Sequence, residues 1–295
     1  MMIDIHAVRQ RAWKALKENW QIALLVCFIA AIPSIISMVV SNRLGADLLP
    51  KLYEIVNSAS PAELRDPVLL MDKMAAATQS TPYALSQLVS ILCWAAGPIL
   101  SLGMYHYLIE MLRGNEGQIS DAFSRLGCAF KSIGLNLLIM LKTMLWALPG
   151  VLVMFAGFVL AIVTGGGLSL MMMIVTLGST LATVLGLMAW YRYALAMFIL
   201  ADHPHTGVFQ SIRESKAAMK GKTLSLFMLQ LFFVLLLVAA GFVDSVLEGI
   251  LGGIIGSTIY MILQLIIQMY MYTSCCAFYL EAAPQAMEKE IEIND

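Results

Sequence analysis

Charged residues are scarce in this chain. Of its 295 residues, 13% are charged and 60% are hydrophobic, and the mean hydropathy is +0.82. A soluble domain carries about 25% charged residues, so a globule of this length would lack the polar groups to cover its surface. A water-soluble enzyme is therefore excluded, and so is a disordered chain, because disorder requires few apolar residues. The composition indicates a membrane protein that crosses the bilayer several times.

Net charge and chemical motifs are also lacking. The formal net charge is −1 at pH 7, which creates no field that would attract nucleic acid, so we expect no nucleic-acid partner. All five cysteines lie in or beside apolar segments, and the polar stretch 41–83 contains none, which argues against a disulfide framework. The sequence contains no phosphate-binding glycine loop, nucleophile elbow or zinc-protease motif. We therefore expect no enzyme, no cofactor and no metal site, and a membrane-embedded enzyme is the least favoured hypothesis.

Apolar runs are abundant, and six of them reach the length of about 20 residues that a spanning helix needs. A run of three glycines separates the third from the fourth, and both are longer than a bilayer requires. Pro149-Gly150 predicts an interruption of the third span. We predict an all-α fold, a polytopic membrane helical bundle forming a single membrane domain, with spans at residues 20–40, 84–108, 134–163, 168–200, 224–243 and 250–272.

The segments between the spans are amphipathic. Residues 1–19 predict an interfacial helix, because Val8, Ala12 and Leu16 recur at helical spacing opposite a basic face, with Arg9 as an exception. We expect residues 41–83 to cap the outer side and residues 273–295 to form a cytoplasmic tail.

Two further amphipathic helices are predicted, at residues 114–131 and 205–222. An offset of 89 residues relates them and places Lys131 on Lys220. This offset suggests a weak internal repeat, and chance is the alternative because the spacing is common to amphipathic helices.

Lysine and arginine are distributed unevenly between the two sides of the predicted topology. Twelve lie on the side of both termini and four on the other side, which predicts that the N- and C-termini are cytoplasmic. The two sets are Arg9, Arg11, Lys14, Lys17, Arg113, Arg125, Lys131, Arg213, Lys216, Lys220, Lys222 and Lys289, against Arg43, Lys51, Arg65 and Lys73.

Two basic residues fall inside predicted spans, where a charge costs about 2.5–3.5 kcal/mol at the bilayer centre. Lys142 lies either in a buried pathway or close enough to the surface to extend its ammonium to the headgroups. Arg192 lies in the sequence Trp190-Tyr191-Arg192-Tyr193, which is typical of an interfacial anchor. Both residues are candidates for a substrate pathway.

Four other polar residues are candidates for the same pathway. His106 and Glu110 lie one turn apart near the inner end of the second span, where they would relay a proton, pair with Lys142 or Arg192, or form a structural ion pair. Gln264 and Gln268 form a polar stripe on the sixth span, which would line a cavity or hold neighbouring helices together by hydrogen bonds.

One group of residues resembles a metal cluster only in composition. Asp202, His203 and His205 surround Pro204, but no further cysteine or histidine lies nearby in the sequence. We interpret Asp202 as a cap or turn residue before the following helix.

Several motifs resemble a bacterial membrane family known as domain of unknown function nine-seven-five. They are LADHP (200–204), SIRESKAAMKGKTLSLFMLQL (211–231), LRGNEGQISDAFSRL (112–126), LPG (148–150) and AFYLE (277–281). The chain departs from the family pattern, because about fifty residues separate its Pro-Gly from LADHP, and Met197 and Phe198 replace proline and tyrosine. The resemblance implies a multi-span bacterial protein and no particular activity.

Two functions remain open. The proline-containing spans, Lys142 and the glutamine stripe favour transport or export of a small amphiphile, lipid or peptide. The amphipathic helices and scarce buried charge favour instead a protein that organises the membrane or confers immunity to membrane-active peptides. The lipid bilayer is the expected partner, and a second copy of the chain or a separate ATPase are the further candidates.

Overall fold

The computed structural model is helical. It describes residues 3–44, 53–55, 57–58, 72–73, 75, 81–115, 117–164, 168–251 and 253–283, and no strand occurs within these ranges. The predicted all-α class is thereby confirmed. The main helices are α1 (Ile5–Leu44), α2 (Thr81–Leu112), α3 (Ala129–Thr164), α4 (Leu168–Tyr193), α5 (Ala196–Asp202), α6 (Val208–Ala218), α7 (Thr223–Leu251) and α8 (Gly253–Ala282).

Six helical stretches in the described residues are long and apolar enough to cross a membrane. This number confirms the predicted six-span membrane class. The stretches are Ile5–Ser41, Ala84–Leu112, Ile119–Leu160, Met172–Asp202, Thr223–Leu247 and Thr258–Ala282. Helix α8 continues to Ala282, ten residues beyond the predicted end of the sixth span.

The chain forms two compact units, Met1–Cys27 with Leu102–Asp295, and Phe28–Ser101. In the second unit, α1 and α2 are linked by serine hydroxyls. Ser37 Oγ donates to Ser90 Oγ at 3.3 Å, and the Ser41 hydroxyl lies 3.5 Å from the same oxygen. The first unit contains the remaining features described below.

Helix α1 bends at Asn19, whose backbone (φ −126°, ψ 22°) is not helical. The bend separates the amphipathic N-terminal part from the span, as the sequence predicts. Val8 and Ala12 are fully buried against the rest of the chain. Arg9, the exception on this apolar face, places its guanidinium 3.9 Å from the centre of the Phe232 ring on α7, so an aromatic ring accommodates the charge.

Helices α3 and α4 form a long hairpin whose seam is made of small residues. A Cβ atom added at Gly150 would overlap the backbone of Ala182, and one at Gly178 would overlap Met154. The predicted interruption at Pro149-Gly150 is wrong, because α3 runs through both residues. Neighbouring helices can support a proline inside a spanning helix, and Gly150 serves instead to let the two backbones approach.

The hydrophobic core of the first unit lies at one end of its helices. We call the ends marked by Lys131, Asp202, Thr223 and Ala282 the near ends, and the ends at the α3–α4 and α7–α8 connections the far ends. Large side chains that are completely buried belong mainly to the near-end parts, whereas those of the far-end parts are largely exposed. The buried set includes Tyr107, Leu108, Ile109, Leu195, Ile199, Leu200, Phe233, Phe278 and Tyr279.

The two segments predicted as amphipathic helices differ in conformation. Within residues 114–131 the structure has two short 3-10 helices, Ile119–Phe123 and Leu126–Cys128, before α3 begins. Within residues 205–222 it has α6, which is followed by Gly221 at φ +76°. Glycine adopts this conformation without strain and reverses the chain into α7.

Candidate functional site

A polar cluster joins three helices at the near ends. Arg113 follows the last residue of α2, and its guanidinium donates two hydrogen bonds of 2.7 Å to the two carboxylate oxygens of Asp202, the last residue of α5. Tyr279 on α8 donates its hydroxyl to Asp202 Oδ2 at 2.9 Å. Glu110 accepts from Arg113 at 2.8 Å and also from Asn115. We call these five residues the Arg113 cluster.

The Arg113 cluster satisfies its charges internally. The side chain of Asp202 is 7% exposed, so its charge depends on the guanidinium beside it. The hydrogen bonds with Asp202 also raise the pKa of Arg113, which keeps the guanidinium protonated. Of the two roles predicted for Asp202, the cap is wrong, because Gly207 is the N-cap of α6 and the carboxylate points to Arg113. Asp202 does end α5 directly before the turn that leads to α6.

Two lysines close the helical hairpins of the first unit at the same end. Lys131, near the start of α3, donates its ammonium to the carbonyl oxygen of Pro204 at 2.8 Å. Lys222, just before α7, donates to the carbonyl oxygen of Ala282 at 3.0 Å. In the α7–α8 hairpin, Lys222 therefore makes the carbonyl contact that Lys131 makes at the start of α3. The 89-residue offset instead pairs Lys131 with Lys220, which is exposed.

His106 and Glu110 are not partners of the cations that the sequence suggested. His106 Nδ1 lies 3.1 Å from a guanidinium nitrogen of Arg125. Glu110 belongs to the Arg113 cluster and forms its ion pair with Arg113, which the sequence analysis did not name as its partner. Neither residue pairs with Lys142 or Arg192 in the described part of the chain.

Lys142 and Arg192 lie on the two facing helices of the α3–α4 hairpin. Arg192 places its guanidinium carbon 4.9 Å from the centre of the Trp146 ring, and Trp146 lies one helical turn from Lys142 on α3. Both basic side chains are half-buried. No carboxylate of the described residues forms an ion pair with either cation. We call Lys142, Trp146 and Arg192 the Trp146 cluster.

The glutamines of the sixth span are half-buried on α8, and neither Gln264 nor Gln268 makes a hydrogen bond within the described ranges. A different glutamine does: Gln230 on α7 accepts from the Tyr191 hydroxyl at 2.8 Å. As for metals, the part of the chain that the structure describes has no group of three or more histidine, cysteine, aspartate or glutamate side chains able to hold an ion.

The sequence analysis did not identify Arg113, Asn115, Trp146 or Tyr279 as site residues. Arg113 and Tyr279 lie at the near ends of apolar helices, where polar residues are common and do not by themselves indicate a site. The available signal was the opposite charge of Arg113 and Asp202 at the ends of two spans predicted to finish on the same side. It could have suggested the pair, but not the third contact from Tyr279.

These features define a class of protein: a helical, multi-pass membrane protein whose spans are joined at the near ends by a polar cluster in which one guanidinium binds two carboxylates. The family described as Protein of unknown function (DUF975) matches residues 2–285, and the chain belongs to it. The match confirms the resemblance drawn from the LADHP and related motifs. No curated protein and no solved structure matches the chain.

Proposed function

We propose that the protein moves a small amphiphile, a lipid or a peptide across the membrane, as a transporter or exporter. The observation that supports this proposal is the pair of cations, Lys142 and Arg192, within candidate spans and without a carboxylate partner in the described residues. An intramembrane charge is costly to insert and usually marks a substrate or ion pathway. The pair therefore distinguishes the α3–α4 hairpin from a purely structural element.

Movement of a labelled lipid tests the proposal directly. The full chain is reconstituted into vesicles that contain a phosphatidylglycerol labelled on one acyl chain with a fluorophore that dithionite destroys. Because dithionite reaches only the outer leaflet, protein-free vesicles lose about half of the fluorescence. We expect vesicles with the protein to lose nearly all of it, as inner-leaflet lipid moves outward.

The variant Lys142→Met serves as the test of mechanism, since it keeps a similar volume and removes the charge. We expect this variant to behave like protein-free vesicles, whereas Lys216→Met, which removes an exposed cation of α6, should behave like the unmodified protein. Equal fluorescence loss in the presence and absence of the unmodified protein would contradict the proposed transport.

The orientation belongs to the same proposal. We propose that the protein lies in the bacterial inner membrane with both termini in the cytoplasm, on the basis of the uneven lysine and arginine distribution. A cysteine introduced by Ser58→Cys should react with an impermeant thiol reagent in intact cells, and one introduced by Gln285→Cys should react only after permeabilisation. The unmodified chain supplies the background of its own cysteines. The reverse pattern would invert the orientation.

A second function has its own support. Helix α6 exposes Arg213 and Lys216 together with Phe209, which is 75% exposed. Exposed basic and aromatic residues on an amphipathic helix are typical of attachment to an anionic membrane surface. A protein that organises the membrane, or protects it against membrane-active peptides, would need this surface and no transport. If this is the function, labelled lipid should move no faster in vesicles with the protein than in vesicles without it. Cells that lack the protein should be more sensitive to cationic peptides.

A further inference from the structure

We propose that the Trp146 cluster binds the phosphate group of an anionic amphiphile. The inference deepens the proposed function, because the amphiphile that binds here is the substrate class that the protein would move. It rests on three features of the cluster: its charge, its aromatic side chain and its level along the hairpin.

The charge of the cluster favours an anion. Lys142 and Arg192 contribute two positive charges, and no carboxylate of the described residues neutralises them. Arg113, by contrast, binds two carboxylates, so its positive charge is already paired within the chain. A guanidinium presents a planar set of donors that matches phosphate oxygens, and a lysine adds a compact point charge.

The aromatic side chain keeps one of the cations in place. The Arg192 guanidinium lies over the Trp146 ring, 4.9 Å from its centre, which stabilises the positive charge. No hydrogen bond of this guanidinium occurs within the described residues. Trp146 is partly exposed, so an acyl chain can reach its apolar edge from the surrounding lipid. The cluster thus offers donors for a phosphate beside an apolar surface, which is the combination that an amphiphile requires.

The level of the cluster matches that of a phospholipid headgroup. Ser215 on the amphipathic helix α6 donates its hydroxyl to the carbonyl oxygen of Arg192 at 3.1 Å, so α6 lies beside Arg192. Amphipathic helices lie at the boundary between headgroups and acyl chains. A cation beside such a helix is close to the phosphates of the adjoining leaflet although it lies within a candidate span.

Native mass spectrometry of the full chain in detergent tests the inference with three probes. The probes are phosphatidylglycerol, a diacylglycerol with the same acyl chains but no phosphate, and inorganic phosphate. We expect phosphatidylglycerol to remain bound and the other two to be absent. The double variant Lys142→Met with Arg192→Met should bind about tenfold less phosphatidylglycerol, because it loses both charged donors. The control variant Lys220→Met removes an exposed cation that belongs to neither cluster and should bind as the unmodified chain does.

Each other outcome overturns the inference. Unchanged phosphatidylglycerol binding in the Lys142 and Arg192 variant places the lipid elsewhere. Equal binding of diacylglycerol removes the role of the phosphate, and binding of inorganic phosphate alone makes the ligand a free anion. If the double variant does not fold, the melting temperature of the unmodified chain is measured with each lipid instead. Phosphatidylglycerol must then raise this melting temperature more than diacylglycerol does, and an equal rise overturns the inference.

Binding and movement separate this inference from the proposed function. If phosphatidylglycerol binds through the Trp146 cluster but does not move across vesicles, transport is contradicted and the binding site stands. If labelled lipid moves equally fast with the Lys142 and Arg192 variant, transport stands and the site is contradicted.

Discussion

The near-end core and the α3–α4 hairpin hold their charges in opposite ways. In the core, Arg113 is bound by Asp202 and Glu110, and the surrounding side chains are buried. In the hairpin, Arg192 lies over the Trp146 ring, and Lys142 lies one helical turn from Trp146 on α3. Neither cation has an acidic partner in the described residues, and many apolar side chains around them are exposed. The difference teaches that charge pairing stabilises the core, whereas the unpaired cations of the hairpin are available to a ligand.

Removal of Arg113 should have the largest effect on stability. Arg113→Met leaves the buried carboxylate of Asp202 without its main partner, so we expect the free energy of unfolding to fall by about 2–3 kcal/mol. This loss is smaller than that for a completely buried pair, because Arg113 is itself partly exposed. The free energy of unfolding in detergent measures this loss. Arg213→Met on α6 is the control and should stay within about 0.5 kcal/mol. Equal stabilities would mean that the Arg113 cluster does not hold the core together.

The seam of the hairpin should respond to a single methyl group. Gly150→Ala forces a Cβ into the backbone of Ala182 and should destabilise the chain by about 1–3 kcal/mol. Gly134→Ala lies on the same helix with nothing within 4 Å, so it should be neutral or stabilising by up to about 1 kcal/mol. Melting temperatures that rank these two variants in the opposite order would contradict the seam.

The lysines before α7 should differ although they are two residues apart. Lys222→Met leaves the carbonyl of Ala282 without its ammonium donor and should cost about 1–2 kcal/mol. Lys220→Met removes an exposed charge and should have almost no effect on the same melting curve. A comparable loss in both variants would show that general charge, not the carbonyl contact, matters at this position.

Removal of the hairpin charge should have the smallest effect on stability. Lys142→Met deletes no described contact, so the free energy of unfolding should change by less than about 0.5 kcal/mol. A larger destabilisation, measured beside the unmodified chain in the same detergent, would assign Lys142 a structural role and weaken the contrast with Arg113.

Local patterns predicted much of the fold. Apolar runs identified six spans, because a helix in lipid must be apolar along its whole length. Helical spacing identified the N-terminal amphipathic part of α1 and the amphipathic segment 205–222 that contains α6. The domain bounds themselves remain predictions.

The candidate site was predicted less completely, because its contacts join distant parts of the chain. Arg113 and Asp202 are 89 residues apart, and only the folded chain brings them together. Lys142 and Arg192 were each identified as charges in apolar runs, but the Trp146 ring that accompanies them depends on the antiparallel register of α3 and α4. The interruption predicted at Pro149 was wrong because local propensity alone breaks a helix at proline. In the folded chain, packing against neighbouring helices supports the continuous helix.

Stability and lipid movement, measured together on Lys142→Met and Arg113→Met, test the central contrast most directly. We predict that Lys142→Met keeps the melting temperature of the unmodified chain and loses movement of labelled phosphatidylglycerol. We also predict that Arg113→Met lowers the melting temperature and still moves lipid at temperatures where it is folded. A Lys142→Met protein that moves lipid as fast as the unmodified chain would contradict the account.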